Sequence, residues 1–245
     1  MRILFIFLIS LGNIMLSFSQ HWAEIISISG YQNEETGNIA TDNDGGIYVT
    51  GVFSGEAFFG NDTINSIGVK DIFIAKYNNF NDMLWIRQIK GPDVNNLLYS
   101  RIIGFDNANN VYLAGYFYDE IAIGNKVYNS RGGTDIFIAK YSPSGNYIWS
   151  EHEGSSKYEG VVSGSVDNSG NIAISGFFYD FTFIGNNLIF GEGNRDAFIA
   201  KYNNMGHFKW VKTFGGKAAD YVSQMTTGKD NSIYLSGYFS SSIDF

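Results

Sequence analysis

The heptapeptide Asp71-Ile-Phe-Ile-Ala-Lys-Tyr77 occurs three times in this 245-residue chain. It returns unchanged at Asp135–Tyr141 and, with one isoleucine replaced by alanine, at Asp196–Tyr202. Such a near-verbatim return at a fixed spacing is the mark of a repeat architecture.

A strand with this sequence is apolar on both faces. Side chains alternate along a strand, so the two aromatic residues and the alanine share one face, and the two isoleucines and the stem of Lys76 share the other. No long stretch of the chain has the helical periodicity that would supply a covering helix. The sheet must then lie between other sheets, as a propeller blade does, because a two-sheet sandwich would show one polar face per strand.

Two further markers recur with the same period. The four tryptophans are separated by 63, 64 and 61 residues, and a Gly-x-aromatic step follows a similar spacing. These markers are Trp22, Trp85, Trp149 and Trp210, and Gly51, Gly115, Gly176 and Gly237. The sequence therefore indicates four copies of one unit, at 22–84, 85–148, 149–209 and, in part, 210–245.

Each copy predicts four strands and a side hairpin. In the second copy the strand-forming runs are 98–105, 111–118, 135–141 and the run around Trp149. A Gly-Asn pair between the second and third runs, at 60–61, 124–125 and 185–186, predicts the hairpin. We therefore predict an all-β chain of four-stranded antiparallel propeller blades, about three and a half in number and forming an incomplete ring.

The third copy contains, in order, Asp167-Asn-Ser-Gly-Asn171, Gly176-Phe-Phe178, Asp196-Ala-Phe-Ile-Ala-Lys201 and Trp210. In this it resembles the bacterial β-propeller repeats known as SBBP repeats. The resemblance extends over residues 22–245. It implies a secreted or surface bacterial protein, in a family whose members sometimes carry a separate sorting or adhesive domain.

Composition limits the compartment and the partners. With 24 acidic and 16 basic residues the chain has a net charge of −8, which disfavours nucleic acid as a partner. It contains no cysteine, so neither disulfides nor thiolate metal sites are available. After the N-terminus, no segment approaches the roughly 20 apolar residues that a membrane span needs, and we expect none in the mature chain.

Residues 1–19 are predicted to be a signal peptide. Arg2 supplies the positive start, Ile3–Ile9 the apolar run, and Ser17 and Ser19 the small residues of a cleavage site. The alternatives are a buried first strand or a membrane anchor. The prediction makes the mature protein secreted or surface-exposed, with residues 20–245 as its repeat domain.

The stretch Thr41-Asp-Asn-Asp-Gly-Gly46 is similar to the opening of a calcium loop, with carboxylates at Asp42 and Asp44. The closing glutamate is missing. The sister copies keep the first carboxylate, as Asp106 and Asp167, but not the spacing. An Asx or type I turn is therefore favoured over a metal site, and we expect no metal and no cofactor.

No catalytic constellation stands out. The histidines, His21, His152 and His207, lie at unrelated places in the repeat, and no carboxylate pair or Ser-His-Asp order is evident. The recurring tryptophan has two interpretations, a stacking platform for sugars or a blade-to-blade packing residue, of which the second is favoured.

Function is expected where the copies differ. The loop from each tryptophan strand to the next inner strand varies, and in a propeller these loops gather on one face. The candidate binding residues are Tyr31, Glu34, Asp93, Asn95, Lys157, Tyr158, Lys217 and Asp220. We predict a secreted, non-enzymatic interaction module that binds a protein or glycan. The alternative is a propeller enzyme acting on a small extracellular substrate near the axis.

The ends of the repeat array predict an unclosed ring. The strand of Trp22 has no inner strands before it, so it is expected to complete the final blade. The last copy stops before a third strand. The resulting open edge predicts self-association.

Overall fold

The computed structural model describes residues 4–8, 24–30, 32–91 and 97–240, and every regular element in these ranges is a β-strand. The strands are β1 (Leu4–Leu8), β2 (Glu24–Gly30), β3 (Glu34–Thr41), β4 (Ile47–Phe53), β5 (Glu56–Phe59), β6 (Asp62–Asn65), β7 (Asp71–Tyr77), β8 (Met83–Ile89), β9 (Leu98–Phe105), β10 (Val111–Phe117), β11 (Glu120–Ile123), β12 (Lys126–Asn129), β13 (Asp135–Tyr141), β14 (Tyr147–Glu153), β15 (Glu159–Val166), β16 (Ile172–Phe178), β17 (Phe181–Ile184), β18 (Asn187–Phe190), β19 (Asp196–Tyr202), β20 (Phe208–Phe214), β21 (Tyr221–Thr227) and β22 (Ile233–Tyr238). Across this part of the chain no helix is long and apolar enough to cross a bilayer.

Three four-stranded antiparallel sheets follow one another along the chain. Their strand orders are β3-β4-β7-β8, β9-β10-β13-β14 and β15-β16-β19-β20, and we call them the first, second and third blades. β21 and β22 pair with each other and form the terminal sheet. The predicted fold class, all-β with four-stranded antiparallel blades, is confirmed.

A short hairpin lies between the second and third strands of each blade, where the sequence predicts one. The hairpins are β5–β6, β11–β12 and β17–β18. In the last of these, Gly185 and Asn186 form the two-residue turn with φ of 58° and 63°. Two consecutive positive φ values are what a type I′ turn requires, and glycine and asparagine adopt them most readily.

The apolar core lies between the blades. In β13, Phe137, Ala139 and Tyr141 pack in a cluster shared with the first blade. Ile136 and Ile138 of the same strand pack in a cluster shared with the third blade. Both faces of the repeated heptapeptide are thus covered by neighbouring sheets, which explains why it carries no exposed polar face.

The glycine of β10 allows close packing of the second blade. A Cβ atom at Gly115 would lie 1.9 Å from the carbonyl oxygen of Tyr99 and 2.7 Å from the Phe137 ring. Any side chain there would push the ring of the third strand away from the second. The repeated glycine therefore accompanies the phenylalanine of the heptapeptide, because the phenylalanine ring fills the space that a side chain at the glycine would need.

The N-terminal strands differ from the prediction. β2, which follows Trp22, pairs with β1 and β5 in a sheet that also contains β6. In the same way, the end of the fourth strand of the first blade approaches the hairpin of the second at the bridge between Lys90 and Ala122. The end of the fourth strand of the second blade approaches the hairpin of the third through the hydrogen bond from Gly154 N to Phe183 O. β2 thus lies where the outer strand of a preceding blade would lie. It does not complete the terminal sheet, and Trp22 itself lies outside the described residues.

β1 falls within the segment predicted to be a signal peptide, and cleavage after Ser19 would remove it. The signal peptide stays a prediction. The sheets run over 34–89, 98–153 and 159–214, so each sheet begins later than the sequence copy counted from its tryptophan.

Candidate functional site

The loops predicted to carry function lie at one end of the blades. There the first strand of each blade begins and the second ends, since Leu98 is paired with Phe117 and Glu159 with Phe178. We call this end the loop face. The turns that follow β7, β13 and β19 lie at the opposite end.

Several predicted binding residues are exposed on the loop face. Lys157 Nζ lies 2.6 Å from Asp180 Oδ2 in an exposed ion pair, and half of the Tyr158 surface is accessible to solvent. Lys217 is exposed. Tyr31, Asp93 and Asn95 also belong to the predicted set and lie outside the described residues.

Two predicted binding carboxylates are built into the fold instead. Asp220 is buried, and its two oxygens accept hydrogen bonds from the amides of Gly216 and Ser240, each at 2.9 Å. It therefore orders its loop rather than facing a ligand. Glu34 begins β3 and is partly buried, and burial raises the pKa of its carboxyl. A polar residue in a loop suggested exposure, but the Asp220 carboxylate accepts backbone amides that have no strand partner.

An aromatic cluster on the loop face was not predicted. Tyr99 and Tyr116 stack with ring centroids 5.3 Å apart. Tyr179 lies edge-on to both Tyr158 and Phe177, at 6.4 and 6.1 Å. The first pair belongs to the second blade, and the other contacts lie at the ends of strands in the third.

Arg195 links the third blade to the terminal sheet through two of these rings. Its guanidinium carbon lies 3.8 Å from the centroid of the Phe177 ring and 4.1 Å from that of Tyr221, so the cation is sandwiched between two rings. Its carbonyl oxygen accepts the amide of Asp220, which fixes the backbone at this point. The Arg195 Nε is buried and has no hydrogen-bond partner among the described residues.

The same charge affects a neighbouring tyrosine. Burial and the nearby Tyr99 raise the pKa of Tyr116, and the positive charge of Arg195 opposes the rise. We define the aromatic cluster as Tyr99, Tyr116, Tyr158, Phe177, Tyr179, Tyr221 and Arg195. The one sequence signal for it is an aromatic residue directly after the repeated glycine, present at Tyr116 and Phe177.

The turns that contain Asp42, Asp106 and Asp167 lie at the opposite end of the blades, where a lysine of this chain lies beside each carboxylate. Asp42 Oδ1 accepts the amides of Asp44 and Gly46 at 3.1 and 2.7 Å, the geometry of an Asx turn. Its other oxygen lies 3.0 Å from Lys76 Nζ. Within the described ranges no three histidine or acidic side chains are grouped as metal ligands.

The aspartate that starts each heptapeptide is buried at the loop face. Asp71 Oδ1 accepts the amide of Gly91 at 2.8 Å, and its Oδ2 accepts Gln88 Nε2 at 2.6 Å. In the second blade, His152 Nε2 lies 2.6 Å from Asp135 Oδ2. These carboxylates anchor the loops that leave the fourth strands.

Two of the histidines line one cleft between the second and third blades. His152 and His207 lie there with Glu153 and Tyr202, in a volume of about 260 Å³. Glu153 accepts hydrogen bonds from the Tyr202 hydroxyl at 2.8 Å and the Gly185 amide at 2.9 Å, and burial raises its pKa. Its carboxylate and the His152 ring are thus engaged within the fold. His21 lies outside the described residues.

The recurring tryptophans contact the next blade. Trp85 Nε1 donates to the carbonyl of Pro143 at 2.9 Å, and Trp149 Nε1 donates to that of Asn204 at 3.1 Å. A Cβ at Gly206 would lie 3.0 Å from the Trp149 ring, so that glycine leaves room for it. This geometry is that of a packing residue between sheets.

Comparison with known proteins gives a relative but no family. No family model matches the chain. An uncharacterized WD repeat-containing protein of Acanthamoeba polyphaga mimivirus is 25% identical, and the match covers 71% of this chain and 16% of that relative. The chain therefore spans about a sixth of the length of the relative it matches. Together with the three stacked blades, this supports one statement of architecture. The chain is a β-propeller repeat protein.

Proposed function

We propose that this β-propeller is a non-enzymatic interaction module whose loop face binds a protein partner through the aromatic cluster. The observation that carries the proposal is the Arg195 guanidinium held between the rings of Phe177 and Tyr221 beside half-exposed tyrosines. Tyrosine and arginine are enriched at the energetic centres of protein interfaces because they combine large apolar area with directed donors.

The environment of the cluster favours binding over a purely structural role. Tyr158 and Tyr221 remain accessible, whereas the large side chains between the blades are fully buried. The buried Nε of Arg195 is a donor without a partner in the described residues. Arg195 as a whole is partly exposed, so a partner that supplies a carboxylate to its guanidinium would form a charge-assisted hydrogen bond.

Partner binding is tested by selection from a random peptide display library on the immobilised chain. We expect enriched peptides to lose binding to the double variant Tyr158→Ser, Tyr221→Ser and to keep it with Phe80→Ser. Phe80 is an exposed aromatic residue at the opposite end of the first blade, which makes it a matched control.

A glycan array with the same variants identifies the other kind of partner. Binding to glycans but not to peptides, with loss in the Tyr158→Ser, Tyr221→Ser variant, would overturn the protein partner in favour of a sugar ligand. Absence of variant-sensitive binding on both arrays would overturn the interaction module.

We further propose that the chain is exported and belongs with the bacterial SBBP-type propellers. The support is the sequence pattern of Arg2, Ile3–Ile9 and the serines at 17 and 19, together with the repeated Asp-x-Phe-x-Ala-Lys motif. Intact-mass measurement of the protein released by an expressing bacterium tests export. We expect a mature chain that begins at Gln20, and a chain that retains Met1 would overturn it.

A further inference from the structure

The buried aspartate of the loop face has a side-chain donor in two of the three blades. In the first blade the amide of Gln88 donates to Asp71 Oδ2 at 2.6 Å and also to the carbonyl of Asn65 at 2.7 Å. In the second blade His152 occupies the same place against Asp135. The donor comes from the fourth strand in both cases.

The third blade lacks this donor. Strand register places Gln88 opposite Phe73, His152 opposite Phe137, and Thr213 opposite Phe198. The threonine side chain is too short to repeat the contact. A cleft of about 310 Å³ opens instead, lined by Phe190, Glu192, Asp196, Thr213, Phe214 and Gly215.

Asp196 lies in this cleft with acceptor capacity left over. Asp196 is 2% exposed, and its Oδ2 accepts a hydrogen bond from the amide of Gly193 at 3.3 Å. No side-chain donor reaches the carboxylate in the part of the chain that the structure describes. Burial raises its pKa, and the nearby Asp220 and Glu192 raise it further. A positive charge would relieve both effects.

We propose that this cleft binds a primary ammonium group of the kind that a lysine side chain carries, donating to Asp196 Oδ2 and to the carbonyl of Phe190. These two acceptors correspond to the two that the Gln88 amide bridges in the first blade. The exposed ring of Phe190 borders the cleft and can contact the aliphatic stem of the lysine. The proposal deepens the proposed function, on which it rests, since it specifies a basic residue in the protein partner.

The test is titration of the full chain with Nα-acetyl-lysine methylamide and, separately, with n-butylamine, followed by NMR. We expect saturable binding of the lysine derivative at one site. The variant Thr213→Gln, which supplies the amide that the first blade has, should weaken it at least about tenfold, as loss of a charge-assisted hydrogen bond predicts. Thr213 is exposed, so this variant does not depend on altering a buried residue.

The reverse change is the matched control. Gln88→Thr should open the equivalent cleft in the first blade and add a second binding site. Equal binding by wild type and Thr213→Gln, or no saturable binding by wild type, would overturn the proposal. If n-butylamine binds as tightly as the lysine derivative, the site recognises any primary amine, and the proposal that the ammonium group comes from a lysine of a protein partner is wrong.

The two proposals fail separately. If displayed peptides bind through the aromatic cluster but lysine dependence and the Thr213→Gln effect are absent, the ammonium site alone is wrong. If the lysine derivative binds at Asp196 while no peptide or glycan depends on Tyr158 and Tyr221, the aromatic cluster is wrong and the cleft stands as a site of its own.

Discussion

Lys140 Nζ lies 2.9 Å from Asp106 Oδ2, and the pair joins the third strand of the second blade to the turn between its first two strands. The same pair recurs as Lys76 with Asp42 and as Lys201 with Asp167, at 3.0 and 2.8 Å. The lysine of the heptapeptide therefore supplies the cation that a calcium-loop interpretation of the turn would require.

Removal of divalent metal should leave the stability of the chain unchanged, because each turn carboxylate already has a lysine partner and backbone donors. Calorimetry with and without EDTA should give melting temperatures that agree within error. As a positive control, Lys140→Met leaves Asp106 without its cation and should cost about 3 kcal/mol of unfolding free energy. A loss of several degrees in EDTA, restored by calcium, would contradict the prediction.

The tryptophan position should contribute to stability in proportion to its coverage by the next blade. Trp149 is 9% exposed and Trp210 is 36% exposed. Trp149→Ala should lower the unfolding free energy by about 3–5 kcal/mol, and Trp210→Ala by clearly less, because a cavity costs most where neighbours surround it. Urea denaturation of both variants measures this. Equal losses at the two positions would show that burial between blades does not set the contribution.

Glu159 should make the chain less stable as the pH rises. Burial raises the pKa of its carboxyl to about 7, although a hydrogen bond from the Ser155 hydroxyl opposes the rise. Because the folded pKa exceeds the unfolded value of 4.5, the contribution is fully present below pH 4.5 and is lost as the pH rises through 7. We expect a loss of up to about 3 kcal/mol across this window.

Denaturation at a series of pH values, compared with Glu159→Gln, isolates that contribution. The unfolding free energy of the glutamine variant should change less with pH between pH 4.5 and 7. Glu35→Gln, at an exposed carboxylate, should leave the wild-type slope in place. The assignment to Glu159 is wrong if its variant keeps the full slope.

The outer face of the terminal sheet should promote self-association. Tyr234 of β22 corresponds to Tyr112 of β10, which is fully buried and donates to the carbonyl of Gly170 in the next blade at 2.7 Å. Tyr234 is 59% exposed. A face shaped to be covered by a neighbouring sheet tends to recruit another one.

Sedimentation velocity on the full chain, as a function of concentration, tests this. Tyr234→Lys should shift the distribution toward monomer, and Phe80→Lys, at an exposed aromatic residue elsewhere, should not. A wild-type chain that sediments as monomer at every concentration would refute the prediction.

The blade could be predicted from sequence because its determinants are local and repeated. Alternation within Asp71–Tyr77 specifies a strand covered on both faces, and the Gly-Asn pairs specify the hairpins. The aromatic cluster could not, since Tyr116 approaches Phe177 only where two blades meet at Gly160, and Arg195 reaches Tyr221 only across to the terminal sheet. The burial of Asp220 could not be predicted for a related reason: an exposed loop carboxylate and a buried one that accepts backbone amides have the same local sequence.

The offset between sequence copies and sheets bears on how such an array can change in length. A copy counted from its tryptophan begins within the fourth strand of one blade and supplies the first three strands of the next. Loss of residues 85–148 would join Leu84 to Trp149, and the hybrid strand would keep its tryptophan opposite Lys76, as Trp85 is now. Gain or loss of a whole copy by recombination within the gene would therefore leave each blade with four strands.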